Sequence, residues 1–154
     1  MKLKTIKNSK GFTIVELLIV IIIIGILAAL VLNSFRGVQE RARDTERQTD
    51  VNAQAGQLEV YYTDHGGYPV YTGEINTDSW ITGNLKGADL NAWRAPNQTT
   101  NSMVNSSTPT KDQYGYVPLQ SDGTTACTTE PCAKFKLFYF SEKDSTVHEK
   151  DSLN

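Results

Sequence analysis

The sequence predicts an α+β fold in which one long N-terminal helix carries a small antiparallel sheet. Residues 12–32 form an almost unbroken apolar run. Residues 33–66 repeat apolar or small side chains every three or four positions, which indicates a helix. Residues 114–119 and 133–140 are rich in aromatic and aliphatic side chains, as strands are. We therefore expect an apolar helix at 12–32, an amphipathic helix at 33–66 and a globular head at 67–154.

The apolar run is long enough to cross a membrane. A helix rises about 1.5 Å per residue, so roughly 20 apolar residues span about 30 Å of hydrocarbon. Positive charge before a span stays on the cytoplasmic side, and four lysines precede this one, namely Lys2, Lys4, Lys7 and Lys10. We expect a single-pass protein of the cytoplasmic membrane with its head outside. A cleaved secretory signal is a weaker alternative, because the run exceeds the usual length of about 7–15 residues.

One carboxylate, Glu16, lies near the start of this run. A charge inside a membrane helix costs about 2.5–3.5 kcal/mol on insertion scales, so Glu16 needs a partner. Gly11 and Phe12 form the junction between the charged and apolar parts. A simple membrane anchor explains neither this junction nor a glutamate at the fifth place after the glycine.

Residues 10–20, KGFTIVELLIV, resemble the start of the type IV pilin superfamily, which includes prepilins, type II secretion pseudopilins and competence pilins. The resemblance implies that a prepilin peptidase removes residues 1–11 as a leader, by cutting between Gly11 and Phe12, and methylates the new N-terminus at Phe12. It also implies that Glu16 pairs with the Phe12 amine of a neighbouring copy. Because a buried charge without its partner is costly, this pair would set the register of docking.

The resemblance implies partners as well. They are the peptidase, copies of the chain in a helical filament, an inner-membrane assembly platform with its ATPase, and membrane lipid before assembly. The location implied is the cytoplasmic membrane first and an extracellular filament afterwards. The Tyr68-Pro69 pair, which follows Gly66-Gly67, also resembles the start of the head in this superfamily.

The second half of the helix is expected to end at Gly66-Gly67, because glycine is common just after a helix and Pro69 follows. Its charges between residues 36 and 50 are interpreted as a solvated face, with contact to neighbouring subunits as the alternative for the set. The side expected to pack includes Thr45, Thr49, Ala53, Gly56 and Leu58.

The head is expected to contain two main strands, at 114–119 and 133–140, and a third near 145–149. A short helical turn is expected at 91–94, and residues 97–110 read as a polar loop. Cys127 and Cys132 suit one disulfide better than free thiols or a zinc site, because the cysteine count is even and no third ligand is close in sequence.

Composition disfavours enzymes and nucleic-acid binders. Without the first ten residues, 11 basic residues face 17 acidic ones, a poor balance for binding phosphate backbones. His65 and His148 are the only histidines, and neither belongs to a nucleophile motif. We expect no catalytic residue, no metal site and no cofactor.

Three functions remain open. The first is a structural subunit, a pilin that polymerises through its N-terminal helix into a surface filament. The second is a pseudopilin of a type II secretion-type machine, or a minor or competence pilin. The third is a membrane-anchored binding protein that never polymerises. The leader and Glu16 argue against the third function, and the cysteine pair favours the first.

Overall fold

The computed structural model describes residues 11–154. Of the leader expected at 1–11, only Gly11 is among the described residues. The predicted fold class is confirmed, because a long N-terminal helix precedes a four-stranded, mostly antiparallel sheet. The boundary between two compact units falls between Val38 and Gln39.

Helix α1 runs from Ile14 to His65 and is continuous through Gly25. It stops at the glycine pair, where Gly66 has a φ of 75°. This left-handed conformation is accessible to glycine at little cost. The Gly66 amide still donates to the Tyr62 carbonyl at 2.8 Å, which closes the last turn.

The sheet has the strand order β1-β2-β3-β4. Strand β1 pairs parallel with β2, and the other two pairings are antiparallel. Two of the three registers are fixed by Tyr116 opposite Leu137 and by Tyr139 opposite His148. The strands are Met103–Val104, Tyr114–Leu119, Lys134–Ser141 and Thr146–Asp151.

Strand β1 lies inside the segment that was expected to be an unstructured polar loop, so that expectation is wrong there. A strand of two residues is too short to show a period of two. Its pairing is set by β2, with Met103 opposite Tyr114.

One face of α1 packs into the core of the head. Its buried side chains share a core with sheet residues that include Tyr116 and Phe135. The predicted packing face is right at Leu58, which is buried, but wrong at Thr45, Thr49 and Ala53, which are exposed. The other buried residues of the helix are Arg47, Val51, Gln54, Ala55 and Tyr61.

Three short helices connect α1 to the sheet. They are the 3₁₀ helix Gly73–Asn76, the α-helix α2 at Asp78–Asn84 and the 3₁₀ helix Leu90–Trp93. The last overlaps the helical turn predicted at 91–94. Trp93 is buried, and the buried Gln54 amide donates to the Ala92 carbonyl at 2.6 Å. These contacts fix the connection against α1.

The predicted disulfide between Cys127 and Cys132 is present. It closes a loop between β2 and β3 that lies against the segment just after α1. Tyr68 and Cys132 exchange two backbone hydrogen bonds, of 2.8 and 3.0 Å. The ring of Tyr68 meets Phe135 edge-on, with ring centroids 4.7 Å apart. The two cysteines are therefore part of the core around Tyr68, whereas residues 128–131 between them are exposed.

Candidate functional site

The candidate assembly site is the N-terminal segment that contains Gly11, Phe12, Thr13 and Glu16. Gly11, Phe12 and Thr13 precede the first helical residue, Ile14. The Phe12 side chain is 90% exposed. The residues expected to be cut and methylated therefore lie outside the helix, where an enzyme can reach them.

Thr13 and Glu16 form a capping box. Glu16 Oε2 accepts from the Thr13 amide at 2.9 Å and from the Thr13 hydroxyl at 2.8 Å. In return, the Glu16 amide donates to Thr13 Oγ1 at 3.2 Å. This reciprocal arrangement satisfies amide groups that have no partner within the helix. The signal for it, Thr-x-x-Glu, is present in the sequence and was missed there.

The capping box engages only one of the two carboxylate oxygens of Glu16. Among the described residues, Glu16 Oε1 has no hydrogen-bond partner, whereas Oε2 has two. The structure therefore brings Glu16 to Thr13, while the nitrogen of Phe12 is a peptide amide bonded to Gly11. One oxygen orients the side chain and the other is available to a second molecule.

Within residues 11–154, the apolar part of α1 is not covered by other side chains. Its large aliphatic side chains are exposed from Ile14 to Leu32. By length and composition this helix could cross a membrane, since its most apolar window has a mean hydropathy of 3.3 and none of that window is buried. Such a surface is stable only in lipid or against other apolar surfaces.

A second polar cluster, which sequence analysis missed, joins α1 to the turn between β3 and β4. Arg43 binds Glu142 through two nitrogens, at 2.8 and 2.6 Å. Arg47 binds Glu142 at 2.6 Å and Asp44 at 2.9 Å, and also donates to the Lys111 carbonyl. Because Arg47 is only 1% exposed, it belongs to the core and not to a solvated face.

Asp44 caps the same turn from the helix side. Its carboxylate accepts from the Glu142 and Lys143 amides, at 2.9 and 3.0 Å, and from the Ser141 hydroxyl at 3.0 Å. Burial alone would raise the pKa of Asp44, but these hydrogen bonds lower it. The cluster is thus an electrostatic lock, a set of ion pairs and hydrogen bonds that joins α1 to the β3–β4 turn of the head.

Of the two carboxylates in this cluster, Glu142 has the larger pKa shift. The hydrogen bond from Arg43 is the main cause that lowers its pKa to about 2, and burial opposes the shift. Arg47 lowers it further. The nearest signal in the sequence was a run of alternating charges, which does not reveal a partner 95 residues away.

Each of the two histidines contacts another side chain of the fold. His65 stacks on Tyr61 with ring centroids 3.8 Å apart, and His148 lies 3.0 Å from Asp144. Within residues 11–154, no group of three or more His, Cys, Asp or Glu side chains is arranged to hold a metal ion.

Known proteins resemble a large part of this chain. Residues 6–32 match the prokaryotic N-terminal methylation motif. The chain is 33% identical over 109 residues to the type IV major pilin protein PilE1 of Neisseria gonorrhoeae, a match that covers 69% of this chain and 58% of that protein. It is 36% identical over 63 residues to the type II secretion system core protein G of Dickeya chrysanthemi, across 41% of each chain. This chain therefore spans less than two thirds of the length of either relative.

The match to the core protein G of Pseudomonas aeruginosa covers a larger part of the relative. It is 31% identical over 104 residues, which are 60% of this chain and 73% of that protein. Pilins and secretion pseudopilins thus both appear among the relatives, at similar identity. Similarity of this extent, together with the methylation motif and the helix-plus-sheet fold, establishes that the chain belongs to the type IV pilin and type II secretion pseudopilin family, whose members are structural subunits and not enzymes.

Proposed function

We propose that this chain is a pilin, which polymerises through its N-terminal helix into a type IV pilus-like surface filament. The observation that carries the proposal is the uncovered apolar surface of α1, led by a glutamate with one free carboxylate oxygen. A bundle of such helices would cover the apolar surface. It would also give Glu16 a positive partner, which a charge in an apolar environment needs.

In this proposal the subunit is prepared by a prepilin peptidase. The enzyme cuts between Gly11 and Phe12, removes residues 1–11 and methylates the Phe12 amine. The amine then pairs with Glu16 of a neighbouring copy. The exposure of Phe12 and its position before the first helical residue are compatible with both reactions.

The same proposal places the chain in two environments in turn. Before assembly, the span at 12–32 lies in the lipid of the cytoplasmic membrane, with the amphipathic helix from residue 33 and the head beyond 67 outside. An assembly platform and its ATPase then move the subunit into an extracellular filament. The acidic balance of residues 11–154 supports no nucleic-acid partner.

A secretion pseudopilin is the second candidate. It is favoured by the match that covers 73% of the Pseudomonas aeruginosa core protein G. The major pilin of Neisseria gonorrhoeae covers more of this chain, 69%. The Cys127–Cys132 disulfide also favours a pilin over a pseudopilin. A minor or competence pilin would have the same N-terminal chemistry. A membrane anchor that does not polymerise would bring no second copy to pair with the free oxygen of Glu16.

Mass spectrometry of sheared surface filaments, compared with the membrane fraction, tests this proposal. A pilin should be the main component of the sheared fraction and should begin at a methylated Phe12. If the processed chain stays in the membrane fraction, a pseudopilin or minor subunit is the better interpretation. A chain that keeps Met1 in both fractions would overturn the processing step.

Cleavage and assembly can be separated by matched variants. Gly11→Val should block cleavage, whereas Gly25→Ala should not, since an added Cβ at Gly25 meets no atom within 4 Å. Glu16→Gln should be cleaved normally but should yield few filaments, because the amide lacks the charge that pairs with the amine. Glu46→Gln is its control on the exposed face of α1. Normal filaments from Glu16→Gln would refute the pairing.

A further inference from the structure

Asp50 is a half-buried carboxylate on the face of α1 that meets β2. Its Oδ2 accepts a hydrogen bond of 2.6 Å from the hydroxyl of Tyr114, the first residue of β2. Tyr114 is fully buried. In the described part of the chain Asp50 forms no ion pair, since the nearby Arg47 is bound to Asp44 and Glu142. The hydrogen-bond partner of this carboxylate is therefore neutral, whereas a buried negative charge would need a cation to compensate for its lost hydration.

The other charged groups that act on Asp50 are acidic. Glu46 lies one turn earlier on α1, and Asp89 precedes the 3₁₀ helix Leu90–Trp93. Burial is the largest cause that raises the pKa of Asp50 from 3.8 to about 6. The hydrogen bond from Tyr114 opposes this rise, and the two acids add to it.

Tyr114 remains a neutral donor throughout the physiological range. Burial, and then the hydrogen bond to Asp50, raise the pKa of its hydroxyl, while Arg47 lowers it to a smaller extent. The titrating member of this contact is therefore the carboxylate. Since the contact joins the helix to the sheet, the charge of Asp50 affects how tightly these two elements pack.

We propose that the Asp50–Tyr114 contact is a pH-sensitive clamp, which packs the head more stably on α1 when Asp50 carries a proton. The proposal does not rest on the proposed function, because both residues of the contact lie in the unit that begins at Gln39. It would make the subunit head most stable in mildly acidic surroundings, which a protein exposed outside the cell can meet.

The sign follows from proton linkage. The folded chain binds a proton at Asp50 with a pKa of about 6, and the unfolded chain binds it near 3.8. Stability from this group is present at low pH and is lost as the pH rises through 6. These two values predict that the unfolding equilibrium constant rises about tenfold between pH 5 and pH 7.5.

The first experiment measures unfolding of the full chain by urea in detergent micelles, at pH 5.0 and pH 7.5. The wild type should lose about tenfold in its folding equilibrium constant at the higher pH. Asp50→Asn, which cannot ionise, should abolish this loss. Asp112→Asn is the matched control, because Asp112 is exposed. All variants share every titratable group other than the substituted one, so the contributions of the shared groups cancel in the difference from the wild type.

Equal pH dependence in the wild type and Asp50→Asn would overturn the clamp. If Asp50→Asn does not fold, a second measurement on the wild type decides. The carbon chemical shift of the Asp50 carboxyl, followed by NMR from pH 3 to pH 8, should show a midpoint above 5. A midpoint below 4 would refute the proposal, whatever the chain assembles into.

Discussion

The guanidinium of Arg47 and the carboxylate of Glu142 meet at 2.6 Å, although 95 residues separate them in sequence. Arg47 is 1% exposed, and Lys111 and Asp44 supply its other partners. A buried charge that loses one partner is costly, because the remaining charge stays out of water. This pair is therefore expected to matter more for stability than the surface ion pairs of the head.

Glu142→Gln should lower the free energy of unfolding by about 3 kcal/mol, since it leaves Arg47 without its closest anion. Urea unfolding of the full chain in micelles measures this loss. Asp64→Asn is the control, because the Lys86–Asp64 pair is largely exposed and should contribute much less to stability. Similar losses in the two variants would show that the buried cluster is no stronger than a surface pair.

Acid should unfold the head through the same cluster. The pKa of Glu142 is lowered from 4.5 to about 2, mainly by Arg43, and that of Asp44 is lowered too. Groups with depressed pKa values stabilise the fold above their unfolded pKa, and this stability is lost as the pH falls. The melting temperature should therefore drop between pH 4.5 and pH 2. Glu142→Gln should flatten this decline, and an unchanged slope would contradict the assignment.

Gly67→Ala should destabilise the head strongly. A Cβ at Gly67 would lie 2.3 Å from Pro131 Cβ and 3.0 Å from the Cys132 carbonyl oxygen. Gly56→Ala is the matched control on α1, because a Cβ there meets nothing within 4 Å. Alanine is better than glycine in a helix by about 1 kcal/mol, so the control should gain stability. Thermal unfolding distinguishes the two, and equal melting temperatures would contradict the close packing at Gly67.

Removal of the disulfide should cost about 2 kcal/mol, the value expected from the entropy of closing a short loop. The double variant Cys127→Ser/Cys132→Ser tests this in urea. A reducing agent should destabilise the wild type by a similar amount and should not affect the double variant. Amide exchange at Tyr68 should quicken in both cases, because that amide donates to Cys132. If the reducing agent leaves the stability of the wild type in urea unchanged, this prediction is contradicted.

Thr13→Val should fray the first turn of α1. Valine has nearly the same shape as threonine but lacks the hydroxyl that bonds Glu16, and loss of a helix cap costs about 1 kcal/mol. Thr13→Ser keeps the hydroxyl and is the control. Hydrogen exchange of the amides at residues 16–18, in micelles, measures the effect. Equal exchange in the two variants would show that the capping box does not form.

The sequence predicted what depends on local pattern. The apolar run at 12–32 and the strand at 114–119 were recognised because their side chains repeat or cluster over several residues. The glycine pair at 66–67 has a similarly local signal, since glycine readily adopts the left-handed conformation seen at Gly66.

What depends on distant partners was missed. The burial of Arg47 requires Glu142, and the burial of Gln54 requires the Ala92 carbonyl. Both residues look like surface residues when read in their own helix. The packing face was right at Leu58 but misplaced at Ala53 for this reason, because a small residue suggested burial more strongly than a charged side chain did. The roles expected for Gly11, Phe12 and Glu16 stay predictions.

The contact between Arg47 and Glu142 also has a consequence for the timing of synthesis. A ribosome releases Arg47 long before it releases Glu142, and for that interval the arginine has no anion from the β3–β4 turn. The head cannot pack fully on α1 until nearly the whole chain has been synthesised, because contacts so distant in sequence form late and slowly. The newly made subunit therefore passes through a period in which only its N-terminal helix is complete.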